Sequence, residues 1–402
     1  MTAGRPWLAL VGVGEDGIEG LSARARRLIE DATLVVGGRR HLGLVGPLIQ
    51  GERLAWPSPM QDAYPAILER AGQDVVVLAS GDPYCYGVGN ALAGLVPVGE
   101  TVCLPAPSAF SLACARLGWA LQDVTTVSFC GRPLEAVIPL LQSGGRLLAL
   151  SADRSTPSAL ATLLVARGFG GSVLHVMEGL GGAWERVRRC VAGEGVPAEI
   201  DPLNLVAVEL SDGTAVPMSA GLPDEWFEND GQLTKREVRA VTLSALAPGA
   251  GEVLWDVGAG SGSVAIEWCL AGRGTRAVAF ETNAERAARA ERNARALGAV
   301  GVTVVRGEAP GALAGQAAPD AAFIGGGLQR EGVLEAVWAA LRPGGRLVAN
   351  AVALDTQAAL FSAQARLGGT LTRIAVERLD QIGTMRAFRP AMAVVQWQAR
   401  RE

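Results

Sequence analysis

Lysine is almost missing from this chain. Of the 36 Lys and Arg residues among 402, only Lys235 is a lysine. That excludes a phosphate-binding loop of the Gly-Lys-Ser/Thr kind, because Lys235 is followed by Arg236 and no glycine precedes it. Pyridoxal phosphate chemistry would have to rest on this one residue. Histidine is nearly as scarce, with His41 and His175 alone, and the six cysteines (Cys85, Cys103, Cys114, Cys130, Cys190 and Cys269) form no C-x-x-C pair. A zinc site or a Ser-His-Asp arrangement is therefore poorly supplied, and no metal is expected. Cysteines scattered in this way read as small hydrophobes in a reducing compartment, so the expected location is cytoplasmic. No apolar run approaches the ~20 residues of a membrane span, and the first six residues lack the charged-then-apolar pattern of a leader. With a net charge of −4, neither a membrane nor a nucleic acid is the expected partner. The arginines remain available for smaller anions.

What is abundant is apolar surface and glycine: 49% hydrophobic residues and 52 glycines, the composition of a folded chain with many tight turns. At roughly 150 residues per domain, the length implies two. Trp7 to Val13 is an apolar run ending in Gly12, Gly14 and Gly17, and Leu21 to Ala32 then spaces apolar residues at helical intervals behind Ser22 as a cap. Further strands are expected at Thr33 to Val36, Asp74 to Ala79, Thr125 to Phe129, Arg146 to Leu150, Ser172 to Met177 and Asn204 to Glu209. Residues 1–210 thus form one α/β domain. Periodicity is lost over 211–231, read as a linker, and resumes in a second α/β domain over 232–402. There a helix at Lys235 to Leu246 precedes strands at Glu252 to Val257, Arg276 to Glu281, Val302 to Arg306, Ala321 to Ile324 and Arg346 to Ala351. Intervening helices and two closing strand-like stretches, Thr370 to Leu379 and Ala391 to Gln398, predict a doubly wound sheet finished by an antiparallel hairpin.

The most specific motif is Asp256-Val257-Gly258-Ala259-Gly260-Ser261-Gly262-Ser263, between a strand and a helix. Glycines there let the backbone approach a ligand, and the helix start supplies free N–H donors. Glu281 ends the next strand, where a carboxylate accepts both hydroxyls of a ribose. A nucleoside ligand is expected, and the residues alone leave NAD or a smaller nucleoside open.

The D-x-G-x-G-x-G turn, the Gly307-Glu308-Ala309-Pro310 loop and the closing hairpin resemble class I S-adenosylmethionine-dependent methyltransferases, which have a Rossmann-like fold. More narrowly, Leu233 to Ala240, DVGAGSGSVAIEW, GEAP, DAAFIGGG (Asp320 to Gly327) and GGRLVANAV (Gly344 to Val352) are similar to the decarboxylating precorrin methyltransferase domain of cobalamin biosynthesis. In the first half VGVGEDG, VVGGRRHL, ASGDPYCYG, PSAFSLACARLGW and SFCGRPL resemble the tetrapyrrole methylases, a two-lobed (class III) fold, in particular their precorrin member acting on carbon 5. The two resemblances in this order imply a bifunctional methyltransferase acting on a precorrin macrocycle. It would methylate carbons 5 and 15 and decarboxylate the ring C acetate, turning precorrin-6B into precorrin-8, with carbon 5 assigned to the first domain.

The resemblance further implies two S-adenosylmethionine sites per chain. In the second domain Gly258, Ala259, Gly260, Ser261 and Gly262 are assigned to the methionine portion, Glu281 to the ribose and Ala309 to the adenine side. Thr234 is placed over the cofactor. Lys235 is either a neighbour of its carboxylate or a solvent-facing lysine, and these two are the catalytic candidates. In the first domain Gly12, Gly14, Gly81, Asp82, Pro83, Tyr86, Gly87 and Ser108 are the cofactor candidates, although Asp82 equally fits a cap of its own turn. Arg330, Arg386 and Arg389 are candidates for the substrate's carboxylates. Two positions depart from the pattern: Cys130-Gly131-Arg132 stands where relatives often have His-Gly-Arg, so Cys130 is read as a packed small residue, and Glu308 stands where Asp is commoner. His41 is placed near an anion and His175 in the core. A homo-oligomer is expected. The alternatives are a methyltransferase pair acting on another tetrapyrrole, or an NAD-binding oxidoreductase, which would need a His or Tyr at the second glycine loop; the second half has neither.

Overall fold

Apolar side chains on both faces of a strand decide the first sheet. In the computed structural model, which describes residues 5–402, every side chain of β1 (Leu8–Val13) is buried. Ala9, Val11 and Val13 join one cluster with Ile29 and Val35, and Leu8 and Leu10 join another with Ile67 and Leu92. Such a strand belongs in a parallel sheet covered on both sides. β2 (Leu34–Gly37), β3 (Glu52–Ala55), β4 (Val75–Ser80) and β5 (Thr101–Leu104) complete it in the parallel order β3-β2-β4-β1-β5. Its helices are α1 (Ala23–Asp31), α2 (Arg39–Leu44), α3 (Tyr64–Leu68) and α4 (Gly89–Leu92). Ser22 caps α1 as expected, its hydroxyl accepting from Ala25 N at 3.2 Å.

A second lobe follows α5 (Ala109–Leu117). Its strands are β6 (Thr125–Ser128), β7 (Arg146–Leu150), β8 (Val173–Glu178), β9 (Arg186–Val191) and β10 (Asn204–Glu209), in the order β6-β7-β10-β8-β9. Only β6 and β7 are parallel. α6 (Thr156–Ala166) joins β7 to β8. Three strands escaped the sequence reading: β3, β5 and β9 lie at sheet edges, where β3 (ERLA) and β9 (RVRRCV) carry charge that hides the apolar alternation.

The second unit carries α7 (Arg236–Leu246) and then β11 (Val253–Val257), α8 (Ser263–Ala271), β12 (Arg276–Glu281), α9 (Ala284–Ala296), β13 (Val302–Arg306), β14 (Ala321–Ile324), α10 (Val333–Ala340), β15 (Arg346–Ala351) and α11 (Leu354–Leu367). Its seven-stranded sheet runs β13-β12-β11-β14-β15-β19-β16, with β16 (Thr370–Ile374) and β19 (Val394–Arg400). Only β19 runs antiparallel to its neighbours. Leu243, Leu246, Val264 and Trp268 from α7 and α8 cover one face, and Val333, Val337 and Leu360 from α10 and α11 cover the other. The strand order reverses between β11 and β14, the place where a doubly wound sheet opens a ligand crevice.

Two expectations change here. The stretch Thr370 to Leu379 is not one strand: β17 (Glu377–Ile382) leaves the sheet and pairs with β18 (Met385–Pro390) as a separate hairpin turning at Gly383. Both strands are exposed along nearly their whole length, so neither has a face to bury against the sheet. The domain border falls between Thr214 and Ala215, and Glu135–Leu141 also belongs to the second unit. Residues 215–231 therefore belong to that unit, with Val216, Leu222 and Phe227 buried.

Candidate active sites

The second glycine loop is built by backbone that no other residue could supply. Gly258, Gly260 and Gly262 have φ of +73, +57 and +76, and a Cβ on Gly258 would meet Gly326 Cα at 2.9 Å. Gly258 N and Ala259 N donate to Phe280 O at 3.0 and 3.1 Å, tying the loop to β12. Glu281 is buried and anchors the same turn: one carboxylate oxygen accepts from Gly260 N and the other from Asn283 N, each at 2.9 Å. Behind it, the Asp256 carboxyl is held by Ala265 N at 3.0 Å, and its other oxygen has no partner. Burial pushes this group up to about 7, and the nearby Glu281 charge adds to the rise.

A cavity of about 730 Å³ runs along the carboxyl ends of the strands, from Glu281 to Ile374. Thr234, Lys235, Gly258, Ala259, Gly260, Glu281, Ala309 and Arg330 line it, as expected from the sequence. Ser261 and Gly262 do not. Ser261 is buried, and a Cβ on Gly262 would touch Ala290 Cβ at 3.0 Å, so that glycine serves the approach of α8 to α9. Arg386 and Arg389 also lie outside it, on the exposed hairpin, where Arg389 pairs with Asp380 at 3.0 Å. Sequence reasoning missed Arg378 as a lining residue, and quoted Gly325, Gly326, Gly327 and Asn350 in motifs without assigning them to the site. Lys235 Nζ stands 3.9 Å from Asp224. Glu308 is not among the lining residues but pairs with Arg330, which is.

Thr234 and Lys235 are held by a buried ion pair. Arg239 has no exposed surface. Its guanidinium donates to Glu267 (2.5 Å), to Asp224 (3.1 Å), to Thr234 O (2.5 Å) and to Leu222 O. Glu267 in turn accepts from Gly221 N at 2.6 Å and Leu222 N at 2.9 Å. One buried pair thereby pins the segment that leads into α7.

The first unit has its own cleft, about 380 Å³, between its two lobes. Gly14, Gly81, Tyr86, Gly87 and Ser108 line it as expected. Gly12, Asp82 and Pro83 do not. A Cβ on Gly12 would lie 1.8 Å from Gly81 O, so this glycine lets two loops touch beneath the cleft. Asp82 accepts from Tyr84 N at 2.8 Å and caps its own turn. Tyr86 sits at φ +56, a strained backbone of the kind found at functional sites, with the Arg132 guanidinium 4.9 Å from its ring centre. Cys130 is exposed at the cleft rather than packed, its thiol donating to Ser151 O at 3.4 Å. His41 is also in the cleft: Nε2 lies 2.9 Å from both Ser80 Oγ and an Arg40 nitrogen, while Arg40 pairs with Glu15. Burial, followed by the Arg40 charge, pulls His41 down to about 4. His175 pairs with Glu209 at 3.0 Å and packs edge-on to Trp119, away from the cleft. Among the described residues no group of His, Cys, Asp and Glu is arranged to hold a metal ion, and no helix is long and apolar enough to cross a membrane.

A two-lobed unit with its cleft between lobes, followed by a Rossmann-like unit with a glycine loop and a terminal acid, defines a tandem methyltransferase. Residues 8–195 match the tetrapyrrole (corrin/porphyrin) methylases, and residues 225–401 match the precorrin methyltransferase domain. The chain is 53% identical over 395 residues to the precorrin-6Y C(5,15)-methyltransferase [decarboxylating] of Sinorhizobium sp, covering 98% of this chain and 96% of that protein. It is 42% identical to the protein of that name from Mycobacterium tuberculosis, covering 97% and 98%. A solved C-terminal domain of the Rhodobacter capsulatus precorrin-6Y C5,15-methyltransferase is 42% identical, covers 46% of this chain and 100% of that one, and has a TM-score of 0.44. The chain belongs to the family of decarboxylating precorrin-6Y C(5,15)-methyltransferases.

Proposed function

We propose that this chain methylates precorrin-6B at carbons 5 and 15 and decarboxylates its ring C acetate, giving precorrin-8 in cobalamin biosynthesis. In this reading each unit holds one S-adenosylmethionine, the first serving carbon 5 and the second carbon 15 with the decarboxylation. The observation that carries it is the near-complete coverage of decarboxylating relatives by a chain with two separate clefts, each bounded by glycine loops at strand ends.

The residues present fit the cofactor. Gly258 leaves open the space that a Cβ would fill against Gly326, and Glu281 is a buried acid at the ribose position. When bound, S-adenosylmethionine supplies an electrophilic methyl on a sulfonium, so the protein needs no nucleophile of its own. The chain's part is to hold donor and acceptor in line, which contributes ~7–11 kcal/mol when orientation is good. Thr234 and Lys235, positioned by Arg239, form the wall of the second cleft beside the glycine loop. Loss of carbon dioxide breaks the bond from the carboxyl to the acetate methylene, the electron pair passes into the conjugated macrocycle, and a proton takes its place. The apolar side chains Leu328, Val352 and Met392 bound that cleft and would strip water from the carboxylate.

Titration calorimetry of the full chain with S-adenosylmethionine tests the two-site reading. Two equivalents should bind, falling to one in Gly258→Ala. Precorrin-6B labelled in the ring C acetate carboxyl should release labelled carbon dioxide with the wild type and not with Gly258→Ala. A stoichiometry of one, or undiminished release from the variant, would overturn the assignment.

A further inference from the structure

The long cleft of the second unit has two chemically different ends. At the β12 end stand the glycine loop and the buried Glu281, which suit hydroxyls and repel carboxylates. The other end, beyond β15, is walled by Val352, Val376 and Met392 and carries Arg378, whereas Arg330 lines the cleft beside the Glu308 loop that follows β13. Both guanidiniums are half-exposed, and each is held by a carboxylate that is itself solvated: Arg378 by Glu237 from the first turn of α7, Arg330 by Glu308. At the nucleoside end Arg286 is likewise held by Asp230, at 2.8 Å.

We infer that Arg378 recognises a carboxylate of the macrocyclic acceptor, and that Glu237 occupies this guanidinium until the acceptor displaces it. This rests on the function proposed above and deepens it. An exposed ion pair contributes only ~0–1 kcal/mol, so the resident glutamates are weak holders. A carboxylate of the acceptor meets the Arg378 fork as a bidentate, charge-assisted pair, which is stronger than the resident contact. The apolar side chains Val352, Val376 and Met392 that line the same cleft match the flat conjugated face. Glu237 keeps Arg378 extended into the cleft in the free protein, which is what a pre-arranged acceptor site requires. A purely structural pair would respond to loss of either partner in the same way, whereas an exchange pair responds with opposite signs.

The test is steady-state kinetics of carbon dioxide release by the full chain, with the dissociation constant of S-adenosylmethionine measured alongside as a check on folding. Arg378→Gln should raise KM for the macrocycle about tenfold with kcat and cofactor affinity within about twofold, because one charge-assisted contact is lost. Glu237→Gln should lower KM by about threefold, because the resident competitor is neutralised. Arg378→Lys should recover part of the loss while giving a steeper salt dependence, a point charge replacing the fork. KM shifts of the same sign in Arg378→Gln and Glu237→Gln, or an Arg378→Gln KM within twofold of wild type, would overturn the inference while leaving the proposed function standing. Absence of carbon dioxide release from the wild type would instead remove the proposed function, and the inference with it.

Discussion

Replacing Glu267 by glutamine changes one oxygen for one amide in the most buried ion pair of the second unit. Glu267 and Arg239 are 3% and 0% exposed, and the carboxylate also accepts from Gly221 N and Leu222 N. Glutamine keeps one acceptor, so at least one of these two N–H groups loses its partner, at about 1–3 kcal/mol. The guanidinium keeps Asp224, but that partner is 3.1 Å away and partly solvated, a poor substitute for the 2.5 Å bond. Removing one member of a buried pair costs ~3–5 kcal/mol, and since both losses arise in one network they do not add fully, leaving ~3–5 kcal/mol as the expected total. At about 2–4 °C per kcal/mol for a unit of this size, one calorimetric transition of the full chain should fall by roughly 6–20 °C while the other stays in place. Because the same pair positions Thr234 O, affinity for S-adenosylmethionine at the second site should fall as well. The double replacement Arg239→Met with Glu267→Leu removes the buried charge but strands Gly221 N, Leu222 N, Leu222 O and Thr234 O, so it should recover little of the stability. If both transitions of Glu267→Gln stay within about 2 °C of wild type, the buried pair does not hold that segment and the reasoning fails.

Gly12→Ala puts a methyl 1.8 Å from Gly81 O and 2.5 Å from Ala106 N, all backbone, so it should cost ~1–3 kcal/mol and abolish cofactor binding at the first site alone; a titration still giving two equivalents would contradict this. The Asp256 carboxyl, raised to about 7 from 3.8, is protonated in the folded chain and ionised in the unfolded one between those values. Its contribution to stability therefore falls as pH rises from about 4 to about 7 and is flat above. The stability difference between wild type and Asp256→Asn should vary across that window, and a constant difference would refute the assignment. His41 has the opposite sign: lowered to about 4, it favours the unfolded chain as pH falls from 6.5 through 4, and His41→Asn should be relatively more stable at pH 4.5 than at pH 7.5 by denaturant titration.

Strand and helix succession was legible where burial on both faces left an apolar run, as in β1, β4 and β14. It was not legible where a strand is an edge or a ribbon: β9 carries three arginines among six residues, and β17 with β18 buries no face, so no period appears. Lining residues were found where a family motif assigns them, as with Thr234, Gly258 and Glu281, and missed where nothing in the local sequence marks them, as with Asn350 and Arg378. A glycine motif also does not say which of its glycines faces the ligand. Gly12 and Gly262 are glycine because backbone or a helix packs against them, and Gly14 and Gly260 line a cleft.

The sequence by itself determined the two α/β units, the glycine-loop chemistry and the family, because these are properties of local spacing and of residue order. The scarcity of lysine and histidine belonged with them: a donor that brings its own leaving group leaves the protein little acid–base work. Only the tertiary structure decided that the stretch before α7 is a pinned wall rather than a linker, that Arg239 and Glu267 are its anchor, and that Arg378 faces the cleft while Arg386 and Arg389 face solvent. An arginine in a sequence carries only its charge. Its burial, its partner and the cleft it faces are set by which distant elements pack beside it.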